Sequence, residues 1–224
     1  MASRLTYTFD NGPWPDATDR LLDFLDERRI KASFFVVGER LADPAGRSLV
    51  ARAAAEGHWI GNHTMTHGTP LGRDGGTERV EREIGCTESL MAEFAHPRKF
   101  FRPNGGGSLG PHLLSPQALD HLTTNRYTVV TWNSVPRDWV EPHRDWLGRA
   151  LEDLDRLDWP VLVLHDKFIA DMLDTLDDFH ERVLARGIEV VQDFAPACVP
   201  LERGEPRGNI GAVVGFPDSR TVRT

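Results

Sequence analysis

Val161-Leu162-Val163-Leu164-His165-Asp166 is an apolar run that stops in a histidine and an acid. Branched aliphatic residues in unbroken succession mark a strand covered on both faces, the kind found in parallel sheets flanked by helices. Similar short runs recur at 5–9, 32–37, 59–61, 99–102, 127–132 and 188–191. Amphipathic segments lie between them. Leu21, Leu22, Leu25 and Ile30 form one stripe, Leu49, Val50 and Ala53 begin a second, and Val80, Ile84, Leu90, Met91 and Phe94 mark a third. Residues 114–122 give a fourth, with Ser115 as the expected N-cap before Pro116. Trp146, Leu147, Ala150, Leu151 and Leu154 give a fifth, and 172–184 a sixth that ends at Gly187. Alternating strands and helices predict an α/β fold. From Pro196 onward Pro, Gly and Arg dominate, so 202–224 is expected to be an irregular tail after a domain spanning 1–201, with a weak strand at 210–214.

The residues with chemical potential gather at the strand ends. Asp10, His63, Arg102, Asp138 and His165 each fall at or just after the end of an expected strand. In parallel sheets that edge carries the chemistry, because the loops there converge on one open face. Gly61-Asn62-His63-Thr64-Met65-Thr66-His67 places two histidines four apart, which on one helical turn would aim both imidazoles at a common point, as metal ligation requires. Thr8-Phe9-Asp10-Asn11-Gly12-Pro13 ends a strand in an acid and an amide, and neighbouring strand-end residues point to different sides. One of the two is free to face substrate while the other faces a metal. Phe100-Phe101-Arg102-Pro103-Asn104-Gly105-Gly106-Gly107 offers a guanidinium that pairs with a carboxylate and glycines that let backbone N–H groups approach a ligand. Trp132-Asn133-Ser134-Val135-Pro136-Arg137-Asp138-Trp139 adds an acid and two indoles, whose faces suit sugar rings.

Composition sets outer limits. With 224 residues, 40% of them hydrophobic, the chain buries a sizeable core, and its formal charge of -8 disfavours a nucleic-acid or anionic-membrane surface. The start of the chain carries no apolar signal core, so a cytoplasmic protein is expected. Only Cys86 and Cys198 are present, which implies no disulfide framework and no cysteine metal site.

In this order, from about residue 5 to 194, the stretches resemble the polysaccharide deacetylase family, the NodB-homology group also called carbohydrate esterase family 4. The resemblance implies a distorted, incomplete (β/α) barrel of about seven parallel strands. It also implies a divalent metal, zinc above all, and hydrolysis of an N-acetyl group on a sugar-linked or small amide. Carried over residue by residue, Asp10 matches the general base, His63 and His67 two metal ligands, Arg102 the arginine that orients the base, and His165 the catalytic acid. Asn11 stands where the family has an acidic third ligand. Gly105 matches the oxyanion donor, Trp139 the groove tryptophan, and Asn104, Asp138 and Trp132 are expected beside the substrate. Val135 stands where the acid paired with the catalytic histidine is expected, leaving Asp138 or Asp166 to replace it. These departures keep two other readings open: a hydrolase of cyclic amides or imides, and a degraded carbohydrate-binding or scaffold protein.

Overall fold

A computed structural model describes residues 1–215. Seven parallel-paired strands form the frame: β1 (Arg4–Asp10), β2 (Ser33–Val36), β3 (Trp59–Asn62), β4 (Phe100–Phe101), β5 (Thr128–Val129), β6 (Val161–His165) and β7 (Glu189–Val190). The order runs β6-β1-β2-β3-β4-β5, with β7 also on β1. Only an isolated bridge between Ser134 and Leu162 spans the gap from the β5 side to β6, so the ring stays short of a full barrel. Several strands are shorter than the apolar runs that encode them. The run at 127–132 pairs regularly only at Thr128 and Val129, because beyond that point the chain leaves the ladder to build the rim.

The α-helices are α1 (Ala17–Glu27), α2 (Gly38–Leu41), α3 (Pro44–Ala55), α4 (Thr77–Val80), α5 (Cys86–Met91), α6 (Pro116–Thr124), α7 (Trp146–Arg156), α8 (Asp166–Ile169) and α9 (Leu173–Ala185). Between α4 and α5 the chain makes a π-helical turn, Glu81–Gly85. Ser115 caps α6 by accepting from the Ala118 N–H at 3.0 Å. Gly187, at φ 67°, takes the left-handed turn after α9 that glycine allows without steric cost. The single-turn helices α2 and α8 escape a periodicity reading because four residues hold no repeat.

β1 shows how the sheet sorts its side chains. Leu5, Tyr7 and Phe9 join the cluster with Leu21, Leu25, Trp146 and Phe179 from the helices. Thr8 and Asp10, on the alternate face, meet Arg102 inside the ring. Pairing between β1 and β6 sets Asp10 level with His165. That register brings two residues far apart in sequence to one height on the rim.

The region after Pro200 is more ordered than its composition suggests. β8 (Leu201–Glu202) and β9 (Glu205–Pro206) form an antiparallel pair on β5, and a 3-10 turn, Ile210–Val213, replaces the expected weak strand. Leu201, Val213 and Val214 are buried among Leu114, Leu122 and Val129. Irregularly spaced apolar residues among prolines and glycines conceal this packing. The rest of the expected tail, 216–224, lies outside the described residues. Cys86 and Cys198 are both free, the first exposed and the second buried. No described helix is long and apolar enough to cross a membrane.

Candidate active site

Asp10 ends β1 at only 4% exposure. The Arg102 Nη1 donates to its Oδ1 at 2.8 Å. Arg102 is itself fully buried, donating also to Thr8 Oγ1 and to the Val130 and Thr131 carbonyls, with its guanidinium 3.9 Å from the Phe35 ring centroid. Five contacts fix its plane, so it presents one orientation to the carboxylate. Burial pushes the Asp10 carboxyl up, but the neighbouring cations, Arg102 foremost, hold it below the ordinary carboxylate value. The result is a buried acid that is ionised at neutral pH.

His63 and His67 reach the same cavity by a different route from the expected helical turn. Residues 63–68 form a loop, with Thr64 and His67 in the left-handed region at φ 68° and 52°. Glu83, from the π-turn, holds this loop by accepting from the N–H groups of Met65 and Thr66 and from the Thr66 hydroxyl. Thr64 Oγ1 accepts from the His67 N–H. The imidazole centroids stand 4.9 Å apart. Glu83 is not among the residues the sequence singles out, although an acid inside the apolar face made by Val80 and Ile84 is a legible signal of a buried polar anchor. His63 donates from Nδ1 to the Arg102 carbonyl at 2.8 Å, which leaves its Nε2 lone pair toward Asp10 Oδ2, 3.7 Å away. Burial drives its pKa down to about 3, so the ring is neutral, as a metal ligand must be.

Asn11 follows at φ 72°, a conformation that Asn tolerates better than most residues. Its Oδ1 is buried with no hydrogen-bond partner among the described residues. A buried carbonyl oxygen without a donor is costly, and a cation is the partner that would satisfy it. With two neutral imidazoles lining the same cavity, the donor set fits a divalent metal. Among the described residues no three His, Cys, Asp or Glu side chains form such a group; the third residue beside the two imidazoles carries an amide.

His165 sits across the cavity. Its Nδ1 lies 2.8 Å from Asp138 Oδ1, and its backbone N–H donates to Asp138 Oδ2 at the same distance. Of the two acids expected to replace the one missing at Val135, Asp138 is the one on the histidine, and Asp166 makes no hydrogen bond to it among the described residues. Asp138, just before Trp139, is fully buried and holds His165 by two contacts, one to the ring and one to the backbone. It stands behind the histidine and does not line the cavity, so its place is in positioning and not, as expected, in touching substrate. Burial pulls the His165 pKa down, but the hydrogen bond and charge of Asp138 outweigh it and raise the value above ordinary. Trp139 meets His165 edge-on at 4.9 Å between centroids.

The cavity holds about 370 Å³ and is walled by Trp132, Val135, Trp139, Val163 and Phe168. Trp132 is fixed by donating from Nε1 to the Gly107 carbonyl. Gly105 lines the cavity, and its N–H has no acceptor among the described residues. A β-carbon there would fall 2.0 Å from Leu113 Cδ2, so any larger residue would force the Leu113 side chain to move. Asn104 departs from expectation: its amide donates to the Gly68 carbonyl at 2.5 Å, tying this loop to the histidine loop, and it is absent from the cavity wall.

The sequence model described as polysaccharide deacetylase matches residues 2–119. A chitooligosaccharide deacetylase from Rhizobium leguminosarum bv. phaseoli is 39% identical over 204 residues, covering 87% of this chain and 83% of that protein. Among solved structures, the Bc1960 peptidoglycan N-acetylglucosamine deacetylase superposes with a TM-score of 0.71 at 26% identity over 90% of both chains. A family 4 acetyl xylan esterase from Clostridium thermocellum, solved with a cobalt ion, gives 0.69 at 25% identity over 84% of this chain and 87% of that one. Taken with the residues assembled on the rim, these similarities mean that the chain belongs to the polysaccharide deacetylase family.

Proposed function

We propose that this protein removes N-acetyl groups from a carbohydrate by metal-dependent hydrolysis, with zinc as the metal. Its relatives, named as chitooligosaccharide and peptidoglycan N-acetylglucosamine deacetylases, support a hydrolase of carbon–nitrogen bonds other than peptide bonds. The observation that carries the reading is the opposition, across one cavity, of an ionised acid held by Arg102 and a histidine held by Asp138. Such a pair supplies a base on one side of an amide and an acid on the other. The Asp138 contact also removes half of the case for a degraded site.

A divalent ion held by Asn11 Oδ1, His63 and His67 would polarise the acetyl carbonyl and make a bound water acidic. Asp10 takes the proton from the attacking water. Arg102 keeps that carboxylate ionised and correctly turned. The Gly105 N–H is the donor available to the developing oxyanion. His165, protonated through its contact with Asp138, delivers a proton from Nε2 to the departing sugar amine. The indoles of Trp132 and Trp139 exclude water and hold the ring. A cytoplasmic location belongs to the same proposal, and cell fractionation checks it.

Acetate release from a chitooligosaccharide in the presence of zinc is the direct test. We expect turnover that a chelator abolishes and that Asp10→Ala lowers by at least about a hundredfold. Failure to release acetate from any N-acetylated oligosaccharide would overturn the assignment. Asn11→Asp should retain more zinc through dialysis, since it adds a charge to the ligand set. Equal zinc content in the two proteins would remove Asn11 from that set.

A further inference from the structure

A second hollow, of about 640 Å³, shares Asn11, His67, His165 and Phe168 with the catalytic cavity and continues past Trp14, Arg40 and Lys167. Arg40 sits over the indole of Trp14, its guanidinium carbon 3.4 Å from the ring centroid. Its Nε donates to the Asn11 carbonyl at 2.6 Å, which anchors one edge of the fork. The two terminal nitrogens have no hydrogen-bond partner among the described residues. Lys167, exposed, brings its ammonium 4.5 Å from the same ring centroid and has no acidic partner among those residues. Two acids share the rim. Asp43 is engaged in capping α3, accepting from the Ala45 N–H, and Glu39 is exposed.

Two cations beside one indole with no acid in ion-pair contact stand out in a chain of formal charge -8, although the charges of Asp166 and Glu39 act on Arg40 from nearby. A stacked guanidinium keeps its hydrogen-bonding edge free in the ring plane, and that edge matches a planar carboxylate. Low-dielectric walls in a cleft strengthen the attraction. Because the hollow runs directly into the catalytic cavity, whatever it holds is attached to, or next to, the reacting sugar.

We propose that this hollow is a subsite for a carboxylate carried by the sugar adjoining the one that is deacetylated, with Arg40 and Lys167 as its ligands. The protein then selects acidic oligosaccharides over neutral ones. This rests on the de-N-acetylase reading and adds the charge of the neighbouring sugar.

The test compares two substrates, an N-acetylglucosamine tetramer and a tetrasaccharide alternating N-acetylglucosamine with glucuronic acid, at low salt on the zinc-loaded protein. We expect kcat/KM to favour the acidic substrate by about tenfold, the difference lying in KM. Lys167→Gln should cut that preference about three- to fivefold and leave the neutral tetramer unchanged, as fits one partly exposed charge. Equal kcat/KM for the two substrates, or a preference undiminished by Lys167→Gln, overturns the proposal while deacetylation stands. Inhibition by free acetate or phosphate as strong as binding of the acidic tetrasaccharide shows a site for free anions only, and also overturns it. If neither substrate is turned over, the function fails. Titrating tryptophan fluorescence with the acidic tetrasaccharide then judges the subsite separately, with Lys167→Gln expected to weaken binding and identical curves overturning it.

Discussion

His165 owes its chemistry to one neighbour. Its burial favours the neutral ring, and Asp138, with both carboxylate oxygens on the histidine, reverses that. The sign follows directly. A pKa raised in the folded state keeps the acid protonated further into the alkaline range, so activity is lost as pH rises through that value. Stability linked to the same proton is fully present below about 6.5, the unfolded value, and fades across the same rise. Asp138→Asn should therefore lower kcat by about ten- to a hundredfold and move the alkaline limb of the pH–rate profile to lower pH. An unmoved limb, even with reduced rate, would separate Asp138 from the proton donor. The family resemblance puts the acid at Val135 and leaves Asp138 or Asp166 as its replacement, and the sequence alone does not choose between those two. Which of two loop positions faces a histidine depends on how the loop crosses the rim, and that is set by backbone conformation.

The strand-end loops carry most of the precision. Gly12 turns the chain so closely over α8 that a β-carbon would lie 2.2 Å from Asp166 Oδ2. That carboxylate also accepts from the Thr18 hydroxyl and the Lys167 N–H, and its burial raises its pKa to about 6. Gly12→Ala should cost about 1–3 kcal/mol by overpacking. Thermal unfolding checks it, and an unchanged midpoint would show that the loop yields without cost. The major helices and the α6 cap were legible because an apolar stripe and a capping serine are local signals. The loop joining His63 to His67 was not, since the spacing of four suits a helix while the conformation is dictated by Glu83, a residue from another element.

Across the whole molecule, the region after Pro200 is part of the fold. Leu201, Val213 and Val214 are buried against β5 and the segment before α6, and the Gly215 N–H donates to the Leu114 carbonyl. Burying three aliphatic side chains contributes roughly 4–8 kcal/mol as an upper figure, a large share of a typical domain's stability. A chain ending at Pro200 should be poorly soluble or melt well below the full chain. A melting point equal to that of the full chain would show this region to be dispensable. By itself the sequence determined the architecture and the rim, because unbroken apolar strands alternating with amphipathic helices leave a parallel sheet, and a parallel sheet gathers Asp10, His63, Arg102 and His165 at one edge. Only the tertiary structure decided that Asp138 serves His165, that Asn11 keeps a buried oxygen without a donor, and that the last strands close over the core. Each of these depends on a distance between residues remote along the chain, which no local pattern of side chains encodes.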